Sequence, residues 1–307
     1  MLWLSRAGKK AIAVVITKLI GGIGNQLFQY AVGRHKSLLS KSELKLDVTG
    51  FEHYPLRKYS LHAFNIEESF ASEEEIYQAK KKVTRRTWRY FSPLLERMVG
   101  PKKRWTAFRE LNVMPYNPAV LRAEGNIYLE GYWQSEKYFV GIGDTIRREF
   151  TMKAQPGPES KEMAEKILST QSVSVHFRRG DYESNEVTRK VHGVLGKEYY
   201  EAAIKIIRQR VRDPHLFLFS DDADWVAENV DLGRPAIIVG HHPGVSSYEE
   251  LWLMSLCKHN IIANSSFSWW GAWLNANKDK VAVAPERWFN VPMYDTSDLI
   301  PQGWLKI

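Results

Sequence analysis

Short apolar runs alternate with longer amphipathic stretches along most of this chain. In the C-terminal half the runs are Val173–His176, His215–Ser220, Ala236–Val239, Asn260–Ala263 and Lys280–Ala284, the last stopped by Pro285. Runs this short and continuously apolar predict strands buried on both faces. Between them the spacing predicts helices over Glu198–Val211, Asp222–Val230, Ser246–Lys258 and Ser268–Asn277. Two of these open with polar caps and early carboxylates, which suit a helix N-terminus: Asp222 with Asp224, and Ser246 or Ser247 with Glu249 and Glu250. Five strands alternating with helices predict a doubly wound parallel α/β sheet.

The N-terminal half begins in the same way. Ala11–Leu19 predicts a strand, Gly21-Gly22-Ile23-Gly24 a loop, Asn25–Ser40 a helix and Leu44–Val48 a second strand. Residues 71–120 are highly charged and read as helices. Ile127–Glu130 predicts a further strand, and Ser135–Phe150 a helix. Gln155-Pro156-Gly157-Pro158 reads as a linker. It divides the chain into an N-terminal α/β domain, residues 1–154, and a C-terminal Rossmann-like domain, residues 155–307. Two such domains leave a cleft between them, where ligands collect.

Composition narrows the class. The 307 residues have an ordinary globular make-up, rich in Trp (11) and Tyr (14). The single cysteine, Cys257, excludes an internal disulfide and suits a reducing compartment, hence a cytoplasmic location. No apolar run is long enough to span a bilayer. The basic N-terminus with Ala11–Ile16 resembles a signal peptide superficially. Lys18 interrupts it and a glycine loop follows, so it reads as the first strand.

The net charge is +8, concentrated in Lys80-Lys81-Lys82, Arg85-Arg86, Arg89 and Lys102-Lys103-Arg104. Such a run serves an anionic membrane surface or forms a solvated helix face. No zinc-finger, RNP or basic-region pattern accompanies it, which argues against nucleic acid.

Candidate chemistry gathers where strands end. His176-Phe177-Arg178-Arg179-Gly180-Asp181-Tyr182 follows the Val173 strand. Guanidinium groups at a strand's carboxyl end suit a phosphate ester; the alternative is a solvated pair bridged to Asp181. The Gly21–Gly24 loop lets backbone approach a ligand at a helix start, although the dinucleotide fingerprint is incomplete. Phe219-Ser220-Asp221-Asp222-Ala223-Asp224 offers carboxylates to a nucleoside, or a cap to the next helix. Its Asp-x-Asp spacing also invites a divalent metal. Asn264-Ser265-Ser266-Phe267-Ser268-Trp269-Trp270-Gly271 offers hydroxyls at a helix start, with Ser268 as the cap and the tryptophans as core. His176 either orients its neighbours or is a satisfied core histidine. No zinc spacing and no nucleophile elbow occur.

Four of these motifs, Gly21 to Tyr30, His176 to Tyr182, Phe219 to Asp221 and Asn264 to Leu274, stand in an order and spacing that resembles the α-1,2-fucosyltransferases of glycosyltransferase family 11. The resemblance covers about Lys18 to Trp288. It implies a GT-B-like fold, two Rossmann-type domains with a cleft between them. It implies GDP-fucose as donor, a galactose-terminated glycan as acceptor, inversion at the anomeric carbon, and no metal or other cofactor.

Carried onto this chain, the catalytic residues would be Arg178 on the diphosphate, Asn25 at the reacting centre and Asp181 bracing the arginine loop. The donor site would comprise Gly22, Gly24, His176, Arg178, Arg179, Asp221, Asp222, Ser265, Ser266, Phe267 and Ser268. Asp221 or Asp222 would read the guanine or ribose. No matched carboxylate stands out as the general base; Glu130, Glu183 and Asp47 are the candidates. The lead before the first strand is longer than this resemblance implies. Another GDP-sugar transferase of the same fold, or an inactive sugar-nucleotide-binding protein, are the alternatives.

Overall fold

The computed structural model describes residues 13–52, 57–84, 105–110, 113–233, 235–239 and 245–307. The strands are β1 Val14–Lys18, β2 Glu43–Asp47, β3 Trp105–Arg109, β4 Asn126–Glu130, β5 Gln171–Phe177, β6 Pro214–Ser220, β7 Ala236–Val239, β8 His259–Ile261, β9 Ala282–Ala284 and β10 Leu305–Lys306. The helices are α1 Ile23–Ser40, α2 Glu73–Thr84, α3 Ala119–Arg122, α4 Gly143–Glu149, α5 Pro158–Leu168, α6 Gly180–Ser184, α7 Glu186–His192, α8 Lys197–Arg210, α9 Ala223–Asn229, α10 Ser247–Leu256 and α11 Ser266–Leu274.

They build two parallel sheets. The first has the order β2-β1-β4-β3 and the second β10-β9-β8-β5-β6-β7. In each, the order reverses beside an early strand: between β1 and β4, and between β5 and β8. Loops leaving neighbouring strands at such a reversal diverge to opposite faces and open a crevice at the carboxyl ends.

Strand β5 is buried from Ser172 onward because it lies between β6 and β8. The two sheets share one core. Its largest cluster joins Val15, Leu27 and Phe28 of the first sheet unit to Leu251, Trp269 and Trp270 of the second. The Phe28 ring lies 4.5 Å from Trp269 and 4.8 Å from Trp270.

Several expectations need correction. The segment Trp105–Arg109 is a strand, paired in parallel with β4, and not a helix. The helix expected over Ser135–Phe150 is broken into two 3₁₀ turns, Glu136–Tyr138 and Val140–Ile142, and the short α4. Gly141 and Gly143 lower helix propensity there, and Ser135 caps the first turn by accepting from Lys137 N. Pro158 does not end a plain linker; it occupies the first turn of α5, where its fixed φ and missing N–H fit. The loop expected after His176 contains α6 and α7. The C-terminal sheet has six strands, one more than expected, with β10 on β9.

Helix α11 begins at Ser266, and Ser265, not Ser268, is its cap, accepting from Phe267 N. Of the basic run, residues 85–104 lie outside the described residues. Lys80 is not a plain solvated charge: its Nζ is 3.4 Å from the buried Asp47 carboxylate and 5.6 Å from the Tyr128 ring centre. Residues 1–12 also lie outside the described residues. No helix among those described is long and apolar enough to cross a membrane.

Candidate functional site

A cavity of about 630 Å³ opens at the carboxyl ends of both sheets. It is lined by the loops after β1, β4, β5, β6 and β8, the crevice that the two strand-order reversals create. Of the residues singled out by sequence, Gly22, Gly24, Asn25, His176, Arg178, Asp221, Ser265, Ser266 and Phe267 line it.

Arg178 stands at the end of β5. Its Nη1 is 2.8 Å from Asp221 Oδ2, and its guanidinium carbon lies 5.2 Å from the Tyr182 ring centre. Asp221 also accepts from Arg179 N at 2.9 Å. A Cβ on Gly180 would meet Asp221 Oδ2 at 2.4 Å, so only glycine lets the carboxylate sit this close. Asp221 therefore braces the arginine loop, the part expected of Asp181. The side chain of Asp181 lies outside what the structure describes.

His176 is buried, and its Nδ1 has no partner among the described residues. Burial, reinforced by Arg178, pushes its pKa down to about 3, so the ring is neutral at pH 7. Helix α11 points its N-terminus into the cavity beside it, with Phe267 5.7 Å from the imidazole. A fixed guanidinium and a helix N-terminus together form a place for phosphate charge.

The opposite wall belongs to the first sheet unit. The α1 start packs tightly on α11: a Cβ on Gly24 would meet Ser266 C at 2.5 Å and Phe267 N at 2.6 Å. Trp270 Nε1 donates to Gly24 O at 3.0 Å. Asn25 Oδ1 accepts from Ser266 Oγ and from Gln134 Nε2, both at 2.9 Å. The loop carrying Gln134 is held from behind by Glu110, whose Oε2 accepts from Tyr132 N and Trp133 N at 2.9 and 2.6 Å.

Other expected residues do not line the cavity. Arg179 turns to Trp225, 3.4 Å from the ring centre, and to Glu183 at 3.1 Å. Asp222 caps α9, accepting from Trp225 N at 3.2 Å. Ser268 is buried and donates to Ser265 O. None of the three base candidates lines the cavity. Glu130 pairs with Lys18 and Arg109, and Glu183 with Arg179. Asp47 is buried and bonded to Thr49 and Tyr128. Each of these carboxylates is consumed by a structural partner. Among the described residues no cluster of three or more His, Cys, Asp or Glu is placed to hold a metal.

The cavity also contains residues to which the sequence reading gave no site role, Asn264 and Tyr182 among them although they stand in its motifs. Glu250, on α10, lines it, and burial together with the charge of Asp221 raises its pKa to about 7. Asn264 donates through Nδ2 to the carbonyls of His192 and Trp288, while its buried Oδ1 has no donor among the described residues. An aromatic wall runs from Tyr182 stacked on His192 (4.5 Å) through Phe289 to Tyr294. Arg57, Lys58, Tyr132 and Gln134 come from the first sheet unit. The signal for Tyr132 and Gln134 was present: Gly131-Tyr132-Trp133-Gln134 directly follows a predicted strand, the same position that marked the other loops.

Residues 14–307 match the family model of glycosyl transferase family 11. An α-1,2-colitosyltransferase of Escherichia coli is 34% identical over 300 residues, which cover 96% of this chain and 99% of that protein. Galactoside α-(1,2)-fucosyltransferase 1 of Aotus azarae is 27% identical over 201 residues, 62% of this chain and 54% of that protein. Among solved structures, a mutant of Arabidopsis thaliana FUT1 in complex with GDP superposes with a TM-score of 0.51 at 13% identity, covering 92% of this chain and 72% of that one. That likeness is one of fold.

Proposed function

The chain belongs to glycosyltransferase family 11, and from that premise we propose that it moves L-fucose from GDP-β-L-fucose to the 2-hydroxyl of a galactose in a glycan, inverting the anomeric carbon to give an α-1,2 linkage. The observation that carries this reading is the single cavity shared by two walls of different character. One wall holds Arg178, neutral His176 and the α11 N-terminus, fit for a diphosphate. The other holds the glycine loop, Asn25, Tyr132 and Gln134, fit for a saccharide.

In this reading residues 1–154 form the acceptor domain and 155–307 the donor domain. As the acceptor 2-hydroxyl oxygen bonds to the anomeric carbon and the bond from that carbon to phosphate oxygen breaks, negative charge grows on GDP, and the hydroxyl proton passes to the departing phosphate or to solvent. Arg178 and the α11 dipole stabilise that charge, and Asp221 keeps Arg178 in place. Asp221, Glu250 and the unspent Asn264 carbonyl oxygen face the nucleoside, where ribose hydroxyls and guanine N–H groups would donate to them. The Tyr182–His192–Phe289 wall supplies an apolar face for the base. No metal is required, because the guanidinium does the work of a cation; full activity after EDTA treatment is expected, and loss restored by Mn²⁺ or Mg²⁺ would show the donor site to be misassigned.

The colitosyltransferase relative favours one other donor. Colitose is L-fucose without its 3-hydroxyl, and the two sugars would sit alike at the reacting carbon. The test is therefore a paired incubation. GDP-fucose and GDP-colitose are each offered with a panel of galactose-terminated glycans, and the product linkage is read by NMR. An α-1,2-fucosyl product supports the reading; transfer of colitose alone replaces the donor, and GDP binding without transfer to any acceptor indicates an inactive sugar-nucleotide-binding protein.

Peripheral contact with an anionic membrane on the cytoplasmic face, suggested by the basic run, is proposed on charge alone. Sedimentation with anionic against neutral vesicles tests it.

A further inference from the structure

Two side-chain amides meet inside the cavity, and each leaves half of its hydrogen-bonding capacity unspent. Asn25 at the start of α1 and Gln134 in the loop after β4 both line the cavity. Asn25 Oδ1 accepts from Gln134 Nε2 on one side and from Ser266 Oγ on the other, both at 2.9 Å. A carbonyl oxygen has two lone pairs, so this one is fully engaged and its amide plane is fixed. The Asn25 Nδ2, which lies 2.6 Å from where a Gly21 Cβ would stand, has no acceptor among the described residues.

Gln134 is in the complementary state. Its Nε2 is engaged, and its Oε1 is buried with no donor among the described residues. An amide oxygen buried without a donor carries a desolvation penalty that a ligand's donor would relieve. The loop is pre-set for that role, because Glu110 holds the two preceding backbone N–H groups, those of Tyr132 and Trp133.

A sugar hydroxyl both donates and accepts. We infer that Asn25 and Gln134 act as one hydroxyl-reading unit for the acceptor saccharide, Asn25 Nδ2 donating to a hydroxyl and Gln134 Oε1 accepting from one. Gln134 is then a substrate-contacting residue that also positions its partner. This rests on the transferase reading above and adds to it a specific pair on the acceptor side. It also explains why an acceptor-side amide reaches across to Ser266. The hydroxyl reader is tied to the head of the helix that faces the phosphates, so the two substrates are held in one frame.

The test is a double-mutant cycle with GDP-fucose and a galactose-terminated glycan, using Asn25→Ala, Gln134→Leu, the double variant and Gln134→Glu. Acceptor kcat/KM is measured beside GDP affinity by calorimetry. Each single variant is expected to lose roughly 10- to 100-fold in acceptor kcat/KM, with GDP affinity held within about twofold. The double variant should be no worse than the weaker single variant by more than about twofold, because one unit is lost only once. Gln134→Glu should be as damaging as Gln134→Leu, since a carboxylate of the same size has no proton to give Asn25. Losses that multiply in the double variant overturn the inference. So does near-normal turnover of Gln134→Glu, which would leave Gln134 a packing role, or a drop in GDP affinity that puts the pair in the nucleotide pocket. Retained GDP binding shows that the variants fold. Absence of wild-type transfer from any GDP-sugar to any acceptor would sink the transferase reading itself, and this inference with it.

Discussion

In the proposed donor site, Arg178 is the residue on which the wall turns. It directly follows a strand buried from Ser172 onward, so its backbone is set by the sheet, and Asp221 holds its side chain at 2.8 Å. A pre-placed guanidinium needs no reorganisation as charge develops on the leaving phosphate. Arg178→Ala should lower kcat by about 10²–10³, near 3–4 kcal/mol, the scale of removing one strong donor to a developing anion. Arg178→Lys should recover only part, because a single ammonium cannot keep the bidentate geometry on Asp221 and phosphate together. A folded Arg178→Ala protein with near-normal turnover would disprove the assignment.

Glu110 carries a second prediction at this scale. Burial raises its pKa from 4.5 to about 7, against the two N–H groups that favour its charged form. The unfolded chain ionises near 4.5, so between that pH and about 7 the folded state binds the extra proton. Stability from this group is therefore present in acid, falls as pH rises through that window and is level above it. Glu110→Gln keeps an oxygen for the N–H groups and removes the buried charge. It should match wild type near pH 4.5 and exceed it by about 3 kcal/mol at pH 8. Urea unfolding at the two pH values checks this, and an equal difference at both would show that Glu110 is not buried as a reluctant anion.

Among elements, the contact between α1 and α11 sets the site. Gly24 leaves no room for a side chain, because a Cβ would press on the backbone of Ser266 and Phe267 at 2.5–2.7 Å. Backbone cannot rotate away as a side chain can. Gly24→Ala should destabilise by about 1–3 kcal/mol and lower turnover by shifting the head of α11. Gly22→Ala is the control for stability: its φ of −75° suits any residue and the nearest atom is Arg57 Nε at 3.9 Å. Denaturant unfolding separates the two, and equal stability at both positions would refute the packing argument.

Legibility in the sequence follows the same physics. Strands such as Val173–His176 and loops such as Gly21–Gly24 were readable, because burial and turn chemistry leave local marks. Trp105–Arg109 was missed as a strand because it sits in a charged segment and gains its strand character from pairing with β4. β10 is two residues long and leaves no periodic signal. In the site, most residues directly after strands were found, Tyr132 and Gln134 after β4 being the exception. Glu250, Phe289 and Tyr294 were not, since only tertiary packing brings a first-turn helix carboxylate and a late loop to the crevice.

The whole molecule is bound together by aromatic packing across the two sheet units. Phe28 of α1 touches Trp269 and Trp270 of α11, and Phe139 stacks on Trp270 at 5.1 Å. Trp273 Nε1 donates to Glu136, and Arg147 lies 4.1 Å from the Trp273 ring centre. Tyr30, Arg34 and Glu149 add a buried polar network within the first unit, with Arg34 2.7 Å from Glu149. Residues of both units belong to the largest cluster, so parting the units would uncover apolar faces on each. Exposing the Phe28, Trp269 and Trp270 faces would forfeit about 1.5–3 kcal/mol for each large side chain. The two sheets should therefore unfold together, unlike chains whose domains meet only at a small polar interface. Far-UV circular dichroism reports both sheets, whereas tryptophan fluorescence reports mainly the shared cluster. In guanidinium the two signals should give one coincident transition. At the proposed donor site GDP would bind folded protein only, so it should shift both midpoints together, by about 2.7 kcal/mol of added stability at a hundred times its dissociation constant. A first transition seen by circular dichroism alone, or one that GDP leaves unmoved while shifting the second, would show that the two units part before they unfold.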